Sequence, residues 1–188
     1  MIGCMIRVMW TPEAYLRALH FASERHAGQL VPGTSHPYLV HLVSVAAEVM
    51  RGAALEPLDR PDLAVTCALL HDVVEDTPTP VADVAAAFGD DVARGVSALS
   101  KDPALPKDQQ LADSLARIRA CPREVWAVKL ADRITNLQPP PARWDGAKRR
   151  RYQHEAREIH AALGAGHGVL GARLAHMIEA YTAHLDPA

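Results

Sequence analysis

Apolar residues recur along this chain at intervals of three and four, and no stretch alternates with period two convincingly enough to read as a strand. Thr11-Pro12-Glu13 is a helix start: a hydroxyl N-cap, a proline in the first turn and an acid beside it. The helix predicted from there carries Ala14, Leu16, Ala18, Leu19 and Ala22 to His26, and Gly28 ends it. After a loop over 29–35, Pro37 opens a second helix with Leu42, Val45, Ala46 and Val49 on one stripe. A loop over 52–60 leads to Pro61 and a third helix. From Leu63 through Val74 that helix is apolar on nearly every side, which predicts a central, buried element. Thr79-Pro80 begins a short helix that Gly89 closes, and helices are predicted over 91–100, 107–120, 122–137, 144–163 and 169–184. The run Gln138-Pro139-Pro140-Pro141 stops the helix over 122–137 abruptly. The expected fold is all-α, a single helical bundle.

Composition narrows the function classes. A chain of 188 residues, 49% hydrophobic, can bury one full core, and it is read as one domain over 11–188. Residues 1–10 read as a loose leader with no signal-peptide layout, with Met9 as an alternative start. The net charge of -2 argues against a large nucleic-acid footprint, and no apolar run reaches membrane-spanning length. Cys4, Cys67 and Cys121 are odd in number, far apart and without a CxxC pair. That usage points to reduced thiols in a cytoplasmic protein, not to a disulfide framework or a zinc ribbon.

The candidate chemistry gathers at the end of the central helix. His71, Asp72, Glu75 and Asp76 arrive there in two adjacent pairs, and positions four apart share a helical face. Three carboxylates and an imidazole at the end of a buried helix resist desolvation unless a cation or basic partners offset them. His41 and Asp132 lie on or near the core side of two other predicted helices, and helical bundles build metal sites from such inward side chains. Two imidazoles and two carboxylates suit an octahedral divalent ion such as Mn²⁺ or Fe²⁺ better than a closed tetrahedral zinc site. Such an ion lowers the pKa of water, and Glu75 and Asp76 are placed to orient that water and move its proton. Each residue alone has a plainer reading: His41 as a core histidine, Asp132 as the ion-pair partner of Lys129 or Arg133. The combination carries the hypothesis.

Five blocks, in order, resemble the HD-domain phosphohydrolases, and among them the alarmone hydrolases of the bifunctional stringent-response enzymes and their small stand-alone relatives. The blocks are Arg25-His26-Ala27-Gly28-Gln29, Pro37-Tyr38-Leu39-Val40-His41, Ala68-Leu69-Leu70-His71-Asp72-Val73-Val74-Glu75-Asp76-Thr77, Phe88-Gly89 and Lys129-Leu130-Ala131-Asp132-Arg133-Ile134-Thr135-Asn136-Leu137. The resemblance implies an HD-type helical domain holding one Mn²⁺ through His41, His71, Asp72 and Asp132. It implies that Glu75 and Asp76 assist attack of water on the 3′-pyrophosphate of a guanine or adenine alarmone, releasing pyrophosphate. It also implies substrate contacts at Asn136, and at Lys148 and Tyr152 on a later helix.

One departure from that pattern bears on the substrate. The family usually carries an Arg-Lys pair between its His-Ala-Gly-Gln and Pro-Tyr blocks; here Leu30-Val31-Pro32-Gly33-Thr34 offers no cation. A polyphosphate needs compensating charge, and Lys101, Lys107, Arg143 and the run Lys148-Arg149-Arg150-Arg151 are the candidates to supply it. Two motifs are set aside. Gly166-His167-Gly168-Val169-Leu170-Gly171 fits GxGxxG but follows a predicted helix instead of a strand, so it reads as a helix–helix connection. Ser97, Ser100 and Ser114 lack a nucleophile-elbow context. The alternatives are an HD phosphohydrolase acting on another nucleotide and a non-enzymatic metal-binding helical module.

Overall fold

The computed structural model of the chain describes residues 9–141 and 143–185. Among them are ten α-helical segments and no strand; one isolated antiparallel bridge joins Leu30 to Pro37. The leader expected over residues 1–10 lies mostly outside the described residues. Trp10, which is described, packs on the core with its ring 5.6 Å from that of Tyr15.

The first three helices are α1 (Pro12–Arg25), α2 (Leu39–Leu55) and α3 (Pro61–Leu70). In α1 the Thr11 hydroxyl accepts the Ala14 N–H at 3.3 Å, as its N-cap role requires. The Asp62 carboxylate accepts in turn from the Thr11 N–H at 2.6 Å, tying the start of α1 to the start of α3. Every residue of α3 except Asp62 is buried, because α1, α2 and the later helices α6 (Asp90–Leu99) and α8 (Arg123–Asn136) all pack against it. The predicted stripe of α2 (Leu42, Val45, Ala46, Val49) is fully buried. A helix without a polar face has become the hub of the bundle.

Most helix ends fall within one to three residues of expectation, and two boundaries differ in kind. The second helix does not stop at Gly52 but continues to Leu55. Gly52 is a contact residue: a Cβ there would come within 2.9 Å of Leu170 Cγ, so the glycine lets α10 (Gly168–Tyr181) approach. The third helix does not run unbroken through Val74. It ends at Leu70, passes a turn at His71-Asp72, and resumes as the single turn α4 (Val73–Asp76). In a continuous helix the Ala68 carbonyl would receive the N–H of residue 72. Here the His71 ring takes that carbonyl through Nδ1 at 2.8 Å.

The remaining elements are α5 (Val81–Phe88), α7 (Lys107–Arg119) and α9 (Gly146–Leu163). Gly89, at φ +87°, turns the chain sharply between α5 and α6, a conformation that favours glycine. The glycine-rich stretch before α10 is the helix–helix connection expected: Gly164–Gly166 forms a 3₁₀ turn and the His167 ring caps α10. His167 is fully buried, with Nε2 bonded to the Glu56 carbonyl at 3.0 Å, and it clamps this connection to the end of α2. No described helix is long and apolar enough to cross a membrane.

Candidate metal centre

Three helical regions deliver side chains to one buried point. His41 comes from the first turn of α2, His71 and Asp72 from the break after α3, and Asp132 from the last turns of α8. One ligand atom from each of His41, His71 and Asp132 lies within 4.8 Å of the others. The two imidazoles face each other through Nε2 at 3.3 Å. Asp72 Oδ2 is 3.0 Å from His71 Nε2 and 3.5 Å from His41 Nε2; Asp132 Oδ1 is 3.7 and 3.6 Å from the same atoms. His71 is 2% exposed and His41 9%, while the Asp72 side chain keeps 18% exposure, so the centre is buried on the imidazole side and open at Asp72.

The supporting contacts orient this set. Because the Ala68 carbonyl can only accept, His71 Nδ1 carries a proton and Nε2 faces the centre, where its lone pair becomes available once a cation displaces the second proton. Asp132 divides its oxygens: Oδ2 accepts from Lys129 Nζ at 3.1 Å, while Oδ1 faces the imidazoles and accepts from Asn136 Nδ2 at 2.5 Å. The plainer reading of Asp132 as a partner of Lys129 and the reading of it as a centre residue therefore hold together, one oxygen each. Tyr38 donates its hydroxyl proton to Asp72 Oδ2 at 2.6 Å. Its ring stacks on His26, which is held by Gln29 at 2.6 Å, so the His-Ala-Gly-Gln block acts as the outer support of the centre.

Charge compensation within the set is mutual. Burial alone would depress the His71 imidazole, but the Asp72 and Asp132 carboxylates lift it well above its ordinary value. Burial would raise Asp72 and Asp132; the imidazoles hold Asp72 well below the usual range, and Lys129 with His71 does the same for Asp132. Burial and the Asp72 charge push Asp76 upward. Burial and the same carboxylate raise the Tyr38 phenol, which stays a donor. A divalent cation among these four groups would replace the His71 proton as the balancing charge, and the N/O donor set fits a hard or intermediate ion. Cys67, the nearest sulfur in sequence, is no competitor: burial pushes its thiol up to about 12, so it remains protonated.

The other expected site residues fall around this core. Asp76 lies close enough to Asp72 and Tyr38 for all three to influence one another, and its N–H bonds to the Asp72 carbonyl at 2.8 Å. Glu75 is exposed and is held by Lys101, whose backbone N–H donates to Oε2 at 2.9 Å and whose Nζ is 3.5 Å from Oε1. Asn136 bonds Asp132, so it braces the centre from the exposed side of α8. Lys148 is exposed, with Nζ 4.3 Å from the Trp144 ring centre. Tyr152 is half-buried; the guanidinium of Arg133 lies over its ring at 4.5 Å and Trp144 meets it edge-on at 5.0 Å. Burial pushes the Tyr152 phenol up to about 12 against the opposing Arg133 charge.

Sequence reasoning assigned no role to Tyr38 or to the Arg133–Tyr152 stack. The first was within reach, because Tyr38 precedes His41 by three residues and so shares its helical face. The second joins α8 to α9 across residues far apart in sequence, and no local pattern announces it.

Comparison with known proteins agrees with this architecture. A family model described as HD domain matches residues 18–170. The guanosine-3′,5′-bis(diphosphate) 3′-pyrophosphohydrolase MESH1 of Xenopus tropicalis is 31% identical over 168 residues, covering 86% of this chain and 91% of that protein. The bifunctional (p)ppGpp synthase/hydrolase SpoT of Escherichia coli K12 is 35% identical over 164 residues, covering 84% of this chain and 22% of the longer enzyme. In fold, the chain is similar to the solved structure of a metazoan ortholog of SpoT that hydrolyzes ppGpp and plays a role in starvation responses. That likeness has a TM-score of 0.80 at 24% identity, covering 95% of this chain and 100% of the other. The chain belongs to the HD-domain family of hydrolases, in the branch of the guanosine-3′,5′-bis(diphosphate) 3′-pyrophosphohydrolases.

Proposed function

We propose that this protein is a Mn²⁺-dependent alarmone hydrolase that removes the 3′-pyrophosphate of (p)ppGpp or (p)ppApp in the cytoplasm. The observation that carries the reading is the convergence of His41, His71, Asp72 and Asp132 from three helical regions, with the two imidazole Nε2 atoms 3.3 Å apart and each 3.0–3.7 Å from an oxygen of Asp72 and of Asp132. In this reading those four residues hold the ion. Bound there, Mn²⁺ supplies a Lewis acid for the phosphoryl oxygens and favours deprotonation of water at neutral pH.

The protein's own groups do the rest. Lys129, Asn136 and Tyr38 fix the carboxylates of Asp132 and Asp72, so the geometry is set before substrate arrives. Glu75 and Asp76 orient the attacking water and take its proton. The water oxygen adds to the phosphorus bonded to the ribose 3′ oxygen, the bond between them breaks, and a proton passes to the 3′ oxygen. The products are pyrophosphate and the nucleoside with its 5′ phosphates intact. Tyr152 and Lys148, beside Trp144, form the wall that receives the nucleotide. The free thiols Cys67 and Cys121 accord with a reducing cytoplasm.

The test is incubation with guanosine or adenosine 3′,5′-bis(diphosphate) and Mn²⁺, followed by product identification. Pyrophosphate and the nucleoside 5′-diphosphate are expected, and Asp72→Ala should abolish both. Release of orthophosphate alone, or turnover that survives Asp72→Ala with chelator present, would overturn the proposal.

A further inference from the structure

The loop between α1 and α2 carries no cation from Leu30 to Ser35, yet a guanidinium lies against it. A Cβ built on Gly33 would stand 3.4 Å from Arg143 Nη1 and 3.8 Å from Nη2, so both nitrogens of Arg143 lie beside this glycine. The loop is stiff: the Val31 N–H bonds to the His36 carbonyl at 2.9 Å, and the Thr34 hydroxyl both donates to the Val31 carbonyl and accepts the His36 N–H. Arg143 is exposed and has no hydrogen-bond or ion-pair partner among the described residues. Three of the other candidate cations are engaged: Lys101 with Glu75, Lys148 with the Trp144 ring, Arg149 with the His184 carbonyl at 3.2 Å.

Arg143 also sits where two walls meet. The loop runs on into Tyr38, whose hydroxyl reaches Asp72. On the other side Trp144, the next residue, contacts Tyr152, and Tyr152 lies under Arg133, the neighbour of Asp132. A nucleotide whose 3′-pyrophosphate reaches the buried centre leaves its second anionic group at the surface between these walls. Two phosphates there need charge-assisted donors, and a planar guanidinium offers them in pairs.

We infer that Arg143 is the specificity-determining cation for the 5′-diphosphate, reaching from the α8–α9 connection over a loop that has none of its own. The inference rests on the alarmone reading above, and it assigns to Arg143 recognition of the far phosphates without a part in bond breaking.

The experiment measures kcat and KM for guanosine 3′,5′-bis(diphosphate) and for guanosine 3′-diphosphate, with the wild-type protein, Arg143→Gln and Arg143→Lys. For the bis(diphosphate), Arg143→Gln should raise KM about 10-fold with kcat within about twofold, since binding is lost equally from ground and transition states. For the nucleotide without 5′ phosphates its KM should match wild type. Arg143→Lys should recover part of the loss, because the point charge remains while the paired donors do not. An unchanged KM for the bis(diphosphate), or an equal rise for both nucleotides, would overturn the inference and leave the hydrolase reading standing. A wild-type protein that turns over neither these nucleotides nor their adenosine counterparts would overturn the hydrolase reading, and this inference with it.

Discussion

Replacing Tyr38 with Phe removes one oxygen and nothing else. The ring keeps its stack on His26 at 4.9 Å and its buried place at the start of α2, so the fold should be held nearly as before. What is lost is a 2.6 Å hydrogen bond to Asp72 Oδ2, the same oxygen that faces both imidazoles. Hydrogen bonds to charged groups contribute about 1.5–3 kcal/mol. Part of that returns as Asp72 turns toward His71, so the net loss in the metal-free protein should be the smaller part. The larger effect falls on the ion. Groups that orient metal ligands typically contribute about 10–100-fold to affinity, and ten-fold corresponds to about 1.4 kcal/mol. Calorimetric titration of Mn²⁺ into chelator-treated wild-type and Tyr38→Phe protein should therefore show Kd rising by about 10-fold or more. The melting temperature of the two metal-free proteins should stay close. A Kd within about twofold of wild type would show that Asp72 is positioned by the backbone break alone, and the supporting role given to Tyr38 would be wrong.

Three further outcomes are expected. Chelation should lower the melting temperature, because an ion at about 100 times its Kd stabilises the folded state by about 2.7 kcal/mol; equal melting curves with and without Mn²⁺ in differential scanning calorimetry would count against the centre. Glu75→Gln and Asp76→Asn should keep the ion while kcat falls by about 10²–10⁴-fold; loss of Mn²⁺ from either, measured by elemental analysis, would make that carboxylate a ligand, and normal turnover in both would remove the two carboxylates from the catalytic apparatus. Glu56 is held below its ordinary value of 4.5, chiefly by the Val169 N–H at 3.0 Å with burial opposing. The unfolded chain therefore binds a proton there more readily than the folded one, so stability present above pH 4.5 is lost as pH falls through the lower folded value. Glu56→Gln should flatten that part of a melting temperature–pH curve relative to wild type, and parallel curves would refute the assignment.

Much of the helical layout was legible because single residues carry sharp backbone meaning. Thr11-Pro12 starts α1 and Gly89 separates two short helices, as their types demand. The apolar surround of 63–70 likewise announced the hub, since a helix with no polar face has to be enclosed. Gly52 misled for the opposite reason. Glycine marks both a helix end and a close approach between helices, and only Leu170, more than a hundred residues later, decides between them. The centre residues were legible as types at a spacing. Their second contacts were not: that Asp132 gives Oδ2 to Lys129 and Oδ1 to the imidazoles depends on rotamers that no spacing encodes. The placement of Arg143 over Gly33 lies further still from sequence, because it joins two loops through a contact that neither loop's pattern foreshadows.

The unexpected break after Leu70 is what allows two adjacent residues to serve one point. In an unbroken helix, neighbouring side chains project about 100° apart, since 3.6 residues complete a turn. His71 directed into the core would then leave Asp72 turned to one side, and the pair would meet only through the reach of their side chains. At the break, Asp72 adopts φ -100° and ψ -2°, still right-handed but displaced from ideal helical values, and its Oδ2 comes 3.0 Å from His71 Nε2. Interrupting a buried helix ordinarily leaves a carbonyl without its donor, at a cost of about 1–3 kcal/mol. The His71 ring removes that cost by donating to the Ala68 carbonyl, and the same bond fixes the ring with Nε2 toward the centre. One imidazole thus supports the break and is aimed by it. The continuous apolar run that made the helix look unbroken reflects burial on both sides of the turn, from Leu70 to Val73, and burial has no period that would reveal where the backbone changes course.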